Sequence, residues 1–252
     1  MPYAVIHGGK KLHGSLPVQS NKNSAMAILF ASHMIKGKTK LVDVPDIDDV
    51  DQVLRLITSI GARVDQSARR TVIIDASGPL YLNRIDHKVA KSIRTSLLLW
   101  GALAKREKKY TIPKSGGCHL GERSVRPHWY ALEKFGVTVA SSSSKYIVNN
   151  QPLKAANIVM YESGDTTTEN AVMAGVLAPG VTTIKMASAN YQVQDLCYFL
   201  NAAGARISGI GTTTLTIRGV KALHAPGEAY PIMPDPIAAM TLLAAGIFLL
   251  HE

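Results

Sequence analysis

Cysteine is nearly missing from this sequence: Cys118 and Cys197 are the only two in 252 residues. Two thiols make no disulfide framework, so a reducing, cytoplasmic setting is expected. Charge is sparse too. Asp, Glu, Lys and Arg make up 18% of the chain, against about 25% in an ordinary globular protein. With 46% apolar residues, this composition excludes a disordered chain and allows a sizeable core. There is no long hydrophobic run. The most apolar stretch, residues 237–250, is shorter than the roughly 20 residues of a membrane span and reads as a buried helix. Residues 1–6 have no charged segment leading into an apolar one, so no signal peptide is expected. The eight histidines are dispersed and no Cys-x-x-Cys occurs, so neither a metal nor another cofactor is expected. A Gly-x-Ser-x-Gly elbow and a Walker lysine are also lacking. Gly209-Ile210-Gly211 lacks the strand-to-helix context of a dinucleotide loop.

Positive charge is in surplus. The net charge is +10, which can attract nucleic acid, an anionic membrane or small phosphorylated ligands. The cations are scattered, with one short run, Lys105-Arg106-Glu107-Lys108-Lys109, and no aromatic-rich basic patch beside it. That run reads as a solvated loop after a helix. Small anionic ligands are therefore the expected partners, not nucleic acid or a membrane.

The most informative pattern is internal. Helical spacing of apolar residues over 49–57, 130–135 and 193–203 leads each time to a glycine, Gly61, Gly136 and Gly204. Glycine suits the left-handed position that ends a helix. Each glycine precedes a β-hairpin whose second strand spans 71–75, 145–148 or 214–217, after turns at 66–68, 141–144 and 209–211. Further helices are expected over 23–35, over 89–104 as one long apolar segment, and over 168–178. The period is about seventy residues, which predicts an α/β domain of three repeated β-α-β-α-β-β units. The ends fall outside the repeat. Residues 3–6 and 15–18 read as a leading hairpin, and Pro234-Asp235-Pro236 opens a final helix. So apolar a last helix needs cover, from a longer parent protein or from a partner.

Four segments could carry chemistry. Gln19-Ser20-Asn21-Lys22-Asn23-Ser24 places a lysine at a helix N-terminus, which suits an anion, although capping alone would use Asn21 or Asn23. Ser115-Gly116-Gly117-Cys118-His119-Leu120-Gly121-Glu122-Arg123 sets a thiol in a glycine turn near cations that favour the thiolate. Cys197, on a helix, reads as a buried structural thiol. Arg94 could offer its planar fork to a phosphate or could be a helix's polar edge. Asp235 reads as a helix cap.

Together these segments resemble, in order and spacing, the UDP-N-acetylglucosamine 1-carboxyvinyltransferase family of enolpyruvyl transferases. Ser20-Asn21-Lys22-Asn23-Ser24-Ala25 resembles its Gly-Ala-Lys-Asn-Ala-Ala motif, and Gly116-Gly117-Cys118 with Gly121 and Arg123 its Gly-Gly-Cys-x-x-Gly-x-Arg loop. Arg94 matches its Met-Arg-Ala-Ser arginine, Thr168-Glu169-Asn170 its Ala-Thr-Glu-Asn helix, and Pro234-Asp235 its Pro-Asp-Arg segment. The resemblance implies an inside-out, EPSP synthase-like fold, with the second domain mostly missing. Residues 22–232 would form the three-repeat domain, 1–21 a hairpin of the other domain, and 233–252 the crossover and first helix of that other domain. It further implies transfer of the enolpyruvyl group of phosphoenolpyruvate to the 3-hydroxyl of UDP-N-acetylglucosamine, in cell-wall precursor synthesis. Cys118 would be the catalytic acid and the group alkylated by fosfomycin. Lys22, Asn23 and Arg123 would hold phosphoenolpyruvate, and Arg94, Asn23, His128, Gly164, Asp165 and Thr166 would face the UDP-sugar.

The chain departs from the family at several positions. Asn190 and Gln192 stand where acids are usual, Arg126 replaces a common Asp, and Gly164-Asp165-Thr166 replaces a Ser-Val-Gly turn. Pro236 and Ala238 replace an Arg and a Glu. The resemblance also places a catalytic aspartate and a phosphate-binding arginine beyond residue 252. The alternatives are another nucleotide acceptor such as UMP, and a non-catalytic anion- or nucleotide-binding domain.

Overall fold

The computed structural model describes residues 3–5, 13–114 and 124–249. Cys118 and Arg123 lie outside them. The first unit comprises α1 (Lys22–Ala31), β1 (Ile35–Lys36), β2 (Lys38–Val42), α2 (Asp48–Ser59), β3 (Arg63–Ala68) and β4 (Thr71–Asp75). The second comprises α3 (His87–Ser92), a 3-10 turn (Arg94–Leu98), α4 (Leu99–Ala102), β5 (Lys109–Pro113), α5 (Arg126–Phe135), β6 (Val137–Ser141) and β7 (Lys145–Asn150). The third comprises β8 (Asn157–Val159), α6 (Asp165–Val176), β9 (Val181–Lys185), α7 (Tyr191–Ala202), β10 (Ile207–Ser208) and β11 (Thr214–Arg218). The chain returns through β12 (Leu223–His224) and β13 (Tyr230–Pro231) into α8 (Pro236–Leu249).

Each unit builds one sheet of the same plan. The antiparallel sets β2-β4-β3, β5-β7-β6 and β9-β11-β10 correspond, and β13 and β8 add parallel strands to the first and third. Alternation buries one face of each sheet, through Leu41, Val72 and Ile74, through Ile112 and Val148, and through Ile184, Leu215 and Ile217. Helices fill the middle. Residues 24–31 of α1 and 167–176 of α6 are buried on every side, as a helix surrounded by other elements must be. Sheets outside and helices inside give the inside-out α/β architecture.

Two of the helix-ending glycines show why glycine stands there. Gly136 caps α5 with φ 97°. Gly61, at φ 111°, leaves no room for a side chain, because a Cβ would lie 2.6 Å from the Pro79 carbonyl oxygen. Acids suit the other end of a helix. α2 starts with Asp48, Asp49 and Asp51 at its positive pole, while Val50, Val53, Leu54 and Ile57 face the core.

Four expectations need correction. The long helix over 89–104 is broken: Ile93 is extended (φ −111°, ψ 122°) between α3 and the 3-10 turn. Beyond the break, the segment packs closely on α6. The Gly101 N–H donates to Asn170 Oδ1 at 2.8 Å, Asn170 Nδ2 donates to the Leu97 carbonyl at 3.1 Å, and a Cβ on Gly101 would meet the Asn170 backbone oxygen at 2.7 Å. The turn placed at 66–68 belongs to β3, and the reversal comes at Arg69-Arg70, with Arg70 at φ 55°. Residues 3–5 and 13–19, assigned to a leading hairpin, form no strand; the rest of that segment lies outside the described residues. The basic run is not wholly solvated, since Arg106 is half-buried and donates to the carbonyls of His33 at 2.8 Å and Gly78 at 2.9 Å.

The last helix also differs from expectation. Asp235 does cap it, accepting from the Ile237 N–H at 2.8 Å. Instead of being buried, however, α8 exposes Ile237, Met240, Leu243 and Ile247. The incoming and outgoing chains cross side by side. Asn21 N–H donates to Met233 O and Asp235 N–H to Gln19 O, each at 2.8 Å, around a Ser20–Pro234 bridge. Asp195 of α7 ties this crossing to the core, accepting from Ser24 of α1, from Tyr230 Oη at 2.6 Å and from Met233 N–H at 3.3 Å.

Candidate active site

An open cavity of about 530 Å³ lies where α1, the 3-10 turn, α5 and α6 converge. It brings together Asn23, Arg94, His128, Gly164, Asp165 and Thr166, six positions singled out from the sequence. Lys22 is not in its lining; it pairs instead with Asp49 of α2 at 2.7 Å. Ser124, where the described chain resumes after the segment carrying Cys118 and Arg123, is in the lining. Arg94 Nη2 donates to the Ser124 carbonyl at 3.1 Å.

Burial decides how the polar groups behave. His128, on the first turn of α5, is 3% exposed. Burial, helped by the nearby Arg94 charge, lowers its pKa to about 3, so the ring is neutral at pH 7. Asn170 Nδ2 lies 2.9 Å from its Nδ1. An amide nitrogen donates, which assigns Nδ1 as the acceptor and puts the ring proton on Nε2, 3.5 Å from Thr166 Oγ1. His128 thus offers a neutral donor on the cavity side.

Asp165 opens α6, and three side chains hold its carboxylate. Ser188 Oγ donates at 2.5 Å, Gln192 Nε2 at 2.5 Å and Asn190 Nδ2 at 3.2 Å. The two amides come from the start of α7, so α7 fixes the one carboxylate at the start of α6. One turn further along α6, Glu169 lines the cavity and is 2% exposed. Burial and the neighbouring Asp165 charge raise its pKa to about 8, so it is largely protonated at neutral pH. Cys197 is buried on α7, as expected, and burial pushes its thiol up to about 12. That thiol is inert.

Sequence reasoning gave no role to Arg126, Tyr161, Glu162, Glu169 or Gln192, all of which line the cavity. Glu169 was visible only as the middle of a motif, and Arg126 and Gln192 only as departures from a pattern. Tyr161 carried no signal, because its place at the cavity mouth depends on how β8 leads into α6. Among the described residues no cluster of His, Cys, Asp and Glu could hold a metal ion, and no helix is long and apolar enough to cross a membrane.

The sequence pattern described as EPSP synthase (3-phosphoshikimate 1-carboxyvinyltransferase) matches residues 6–250. This chain belongs to the EPSP synthase family. Relatives within it include UDP-N-acetylglucosamine 1-carboxyvinyltransferase 2 of Caldanaerobacter subterraneus subsp. tengcongensis, 36% identical over 240 residues, a match covering 95% of this chain and 57% of that protein. The UDP-N-acetylglucosamine 1-carboxyvinyltransferase of Psychromonas ingrahamii is 37% identical over 246 residues, covering 96% and 57%. The chain therefore spans somewhat over half the length of these relatives. In fold it is similar to the enolpyruvyl transferase NikO from Streptomyces tendae (TM-score 0.81, 23% identity, covering 96% of this chain and 56% of that one). It is similar also to EPSP synthase from Acinetobacter baumannii (TM-score 0.69, 16% identity, covering 90% and 51%). These likenesses make the architecture that of an EPSP synthase-family domain.

Proposed function

We propose that this chain is the acceptor-binding and acid-bearing lobe of an enolpyruvyl transferase that joins phosphoenolpyruvate to the 3-hydroxyl of UDP-N-acetylglucosamine. The observation that carries this reading is the meeting of Asn23, Arg94, His128 and residues 164–166 around one cavity, beside Ser124, where the chain returns from the Cys118 segment. Residues 22–232 form the lobe. Residues 1–21 and 233–252 belong to a second lobe, whose remainder would cover the exposed apolar face of α8.

In the proposed reaction the sugar hydroxyl oxygen bonds to C2 of phosphoenolpyruvate and gives its own proton to the aspartate that the resemblance places beyond residue 252, while Cys118 delivers a proton to C3. C3 then returns a proton to the Cys118 thiolate as the bond from C2 to the phosphate oxygen breaks, and the phosphate leaves, taking up the proton held by the aspartate. A positioned acid is what the first step needs. Asn23 and Arg123 hold the donor's anions, joined by Lys22 once it exchanges its Asp49 partner for them, since cations at the site stabilise charge as it develops. Arg94 meets the acceptor's phosphates with its fork. The neutral His128 supplies a hydrogen bond without adding charge, and Gly164, Asp165 and Thr166 border the acceptor.

A second reading, transfer to a smaller nucleotide such as UMP, is favoured by one feature. Asp165 occupies the positive pole of α6 with a carboxylate already held by three donors, so an acceptor phosphate is disfavoured at that end. One experiment separates the readings: phosphate release from phosphoenolpyruvate by the longest natural protein carrying these residues, with UDP-N-acetylglucosamine or UMP as acceptor. Release with UDP-N-acetylglucosamine, abolished by Cys118→Ala, is expected. Release with UMP alone selects the second reading, and release with neither refutes both.

A further inference from the structure

Two polar groups of the cavity wall, Gln192 and Glu169, have no part in the reaction proposed above, and one of them has an acceptor the protein leaves unused. Gln192 is 5% exposed and lines the cavity; its Nε2 donates to Asp165, but its buried Oε1 has no partner. A buried acceptor left unmet costs about 1–3 kcal/mol; Asp165 holds the amide's other end, and the cavity that Gln192 lines is where a bound group would meet this oxygen. Glu169, also buried, lines the same cavity. Both sit against Asp165, Gln192 through its hydrogen bond and Glu169 through charge repulsion. This wall carries a fixed carboxylate, which repels phosphate, whereas Arg94 and Arg126 in the same lining attract it.

We propose that Glu169, as a neutral acid, and Gln192 Oε1 form a donor–acceptor subsite that reads an uncharged hydroxyl or amide of the acceptor, oriented with its phosphates toward Arg94 and Arg126. The acid's O–H donates to the ligand oxygen, and the ligand's O–H or N–H donates to Gln192 Oε1. Each group satisfies a partner that would otherwise be left buried and unpaired, which is how a polar pocket rejects analogues lacking the group. The inference rests on the nucleotide-acceptor reading above.

The subsite has a pH signature, because a deprotonated Glu169 loses its donor and puts a second negative charge beside Asp165. Of the groups around it, burial pushes Cys197 on α7 up to about 12 and holds His128 on α5 down at about 3, both clear of the Glu169 range. Asp165 and Glu162 are the other acids of the wall, and Tyr161 stands at its mouth.

The test is ligand-observed NMR titration of this chain with UDP-N-acetylglucosamine from about pH 6 to about pH 9, a range that reaches past the Glu169 pKa of about 8. Affinity should be level at the acid end and fall toward tenfold per pH unit above the Glu169 pKa. The Glu169→Gln profile should be flat, because an amide donates at every pH, and Glu169→Leu should bind at least tenfold more weakly than Glu169→Gln throughout. A flat wild-type profile, or parallel profiles for wild type and Glu169→Gln, would overturn the subsite. No binding by the wild type at any pH would instead sink the nucleotide-sugar reading on which it rests.

Discussion

Asn170 commits its whole amide to structure: its oxygen takes the Gly101 N–H, and its nitrogen serves Leu97 and His128. Asn170→Leu should leave those buried groups unpaired and cost about 3 kcal/mol, or about 6–12 °C in Tm at this chain length, measurable by calorimetry. Glu169 gives a second test, through the pH dependence of stability. Its folded pKa is raised to about 8, so the folded state holds a proton that the unfolded chain releases near pH 4.3. Its stabilising contribution is complete below the unfolded value and is lost as pH rises to about 8. The buried histidines His33 and His128, lowered to about 3, act oppositely, removing stability as pH falls below about 6.5. From about pH 7.5, one unit past the histidines' unfolded value, to about pH 8 the Glu169 contribution sets the slope. Tm should drop across that window in the wild type and stay level in Glu169→Gln; equal slopes would mean that the carboxyl is already charged.

At the scale of elements, what the sequence made legible follows from local chemistry. Gly61, Gly136 and Gly204 are read from sequence because a left-handed turn is a property of one residue and its neighbours. The alternating strands are read because burial of one sheet face repeats every second position. The break at Ile93 is not legible, since residues 97–104 are apolar all round, and the hydrogen bonds at the break, from Ser96 Oγ to the Ala90 and Ile93 carbonyls, leave no periodic signal. Within the site, the motif positions came together as expected, whereas the Asp165 cage joins residues 165, 188, 190 and 192, whose meeting depends on how α6 and α7 pack. Asp195 is a similar long-range junction, joining α1, α7 and the strand crossing. Asp195→Ala should loosen that crossing first. Hydrogen exchange should speed up at the Asn21 and Met233 amides while the β2–β4 ladder stays protected, and equal acceleration everywhere would assign Asp195 to global stability instead.

The whole molecule presents one cavity wall and an exposed apolar helix, which fits a lobe that works against another. A shared site predicts that these 252 residues by themselves turn over phosphoenolpyruvate and UDP-N-acetylglucosamine at least a thousandfold more slowly than when supplied with the remaining lobe of a relative, in a phosphate-release assay; comparable rates would make the lobe self-sufficient. The proposed reaction requires a reactive thiol at Cys118, whereas Cys197 is sealed away. Timed iodoacetamide labelling of the native chain, followed by peptide mass spectrometry, tests it most directly. Cys118 should be modified within minutes and Cys197 only after denaturation, whereas a Cys118 as slow to react as Cys197 would contradict the account.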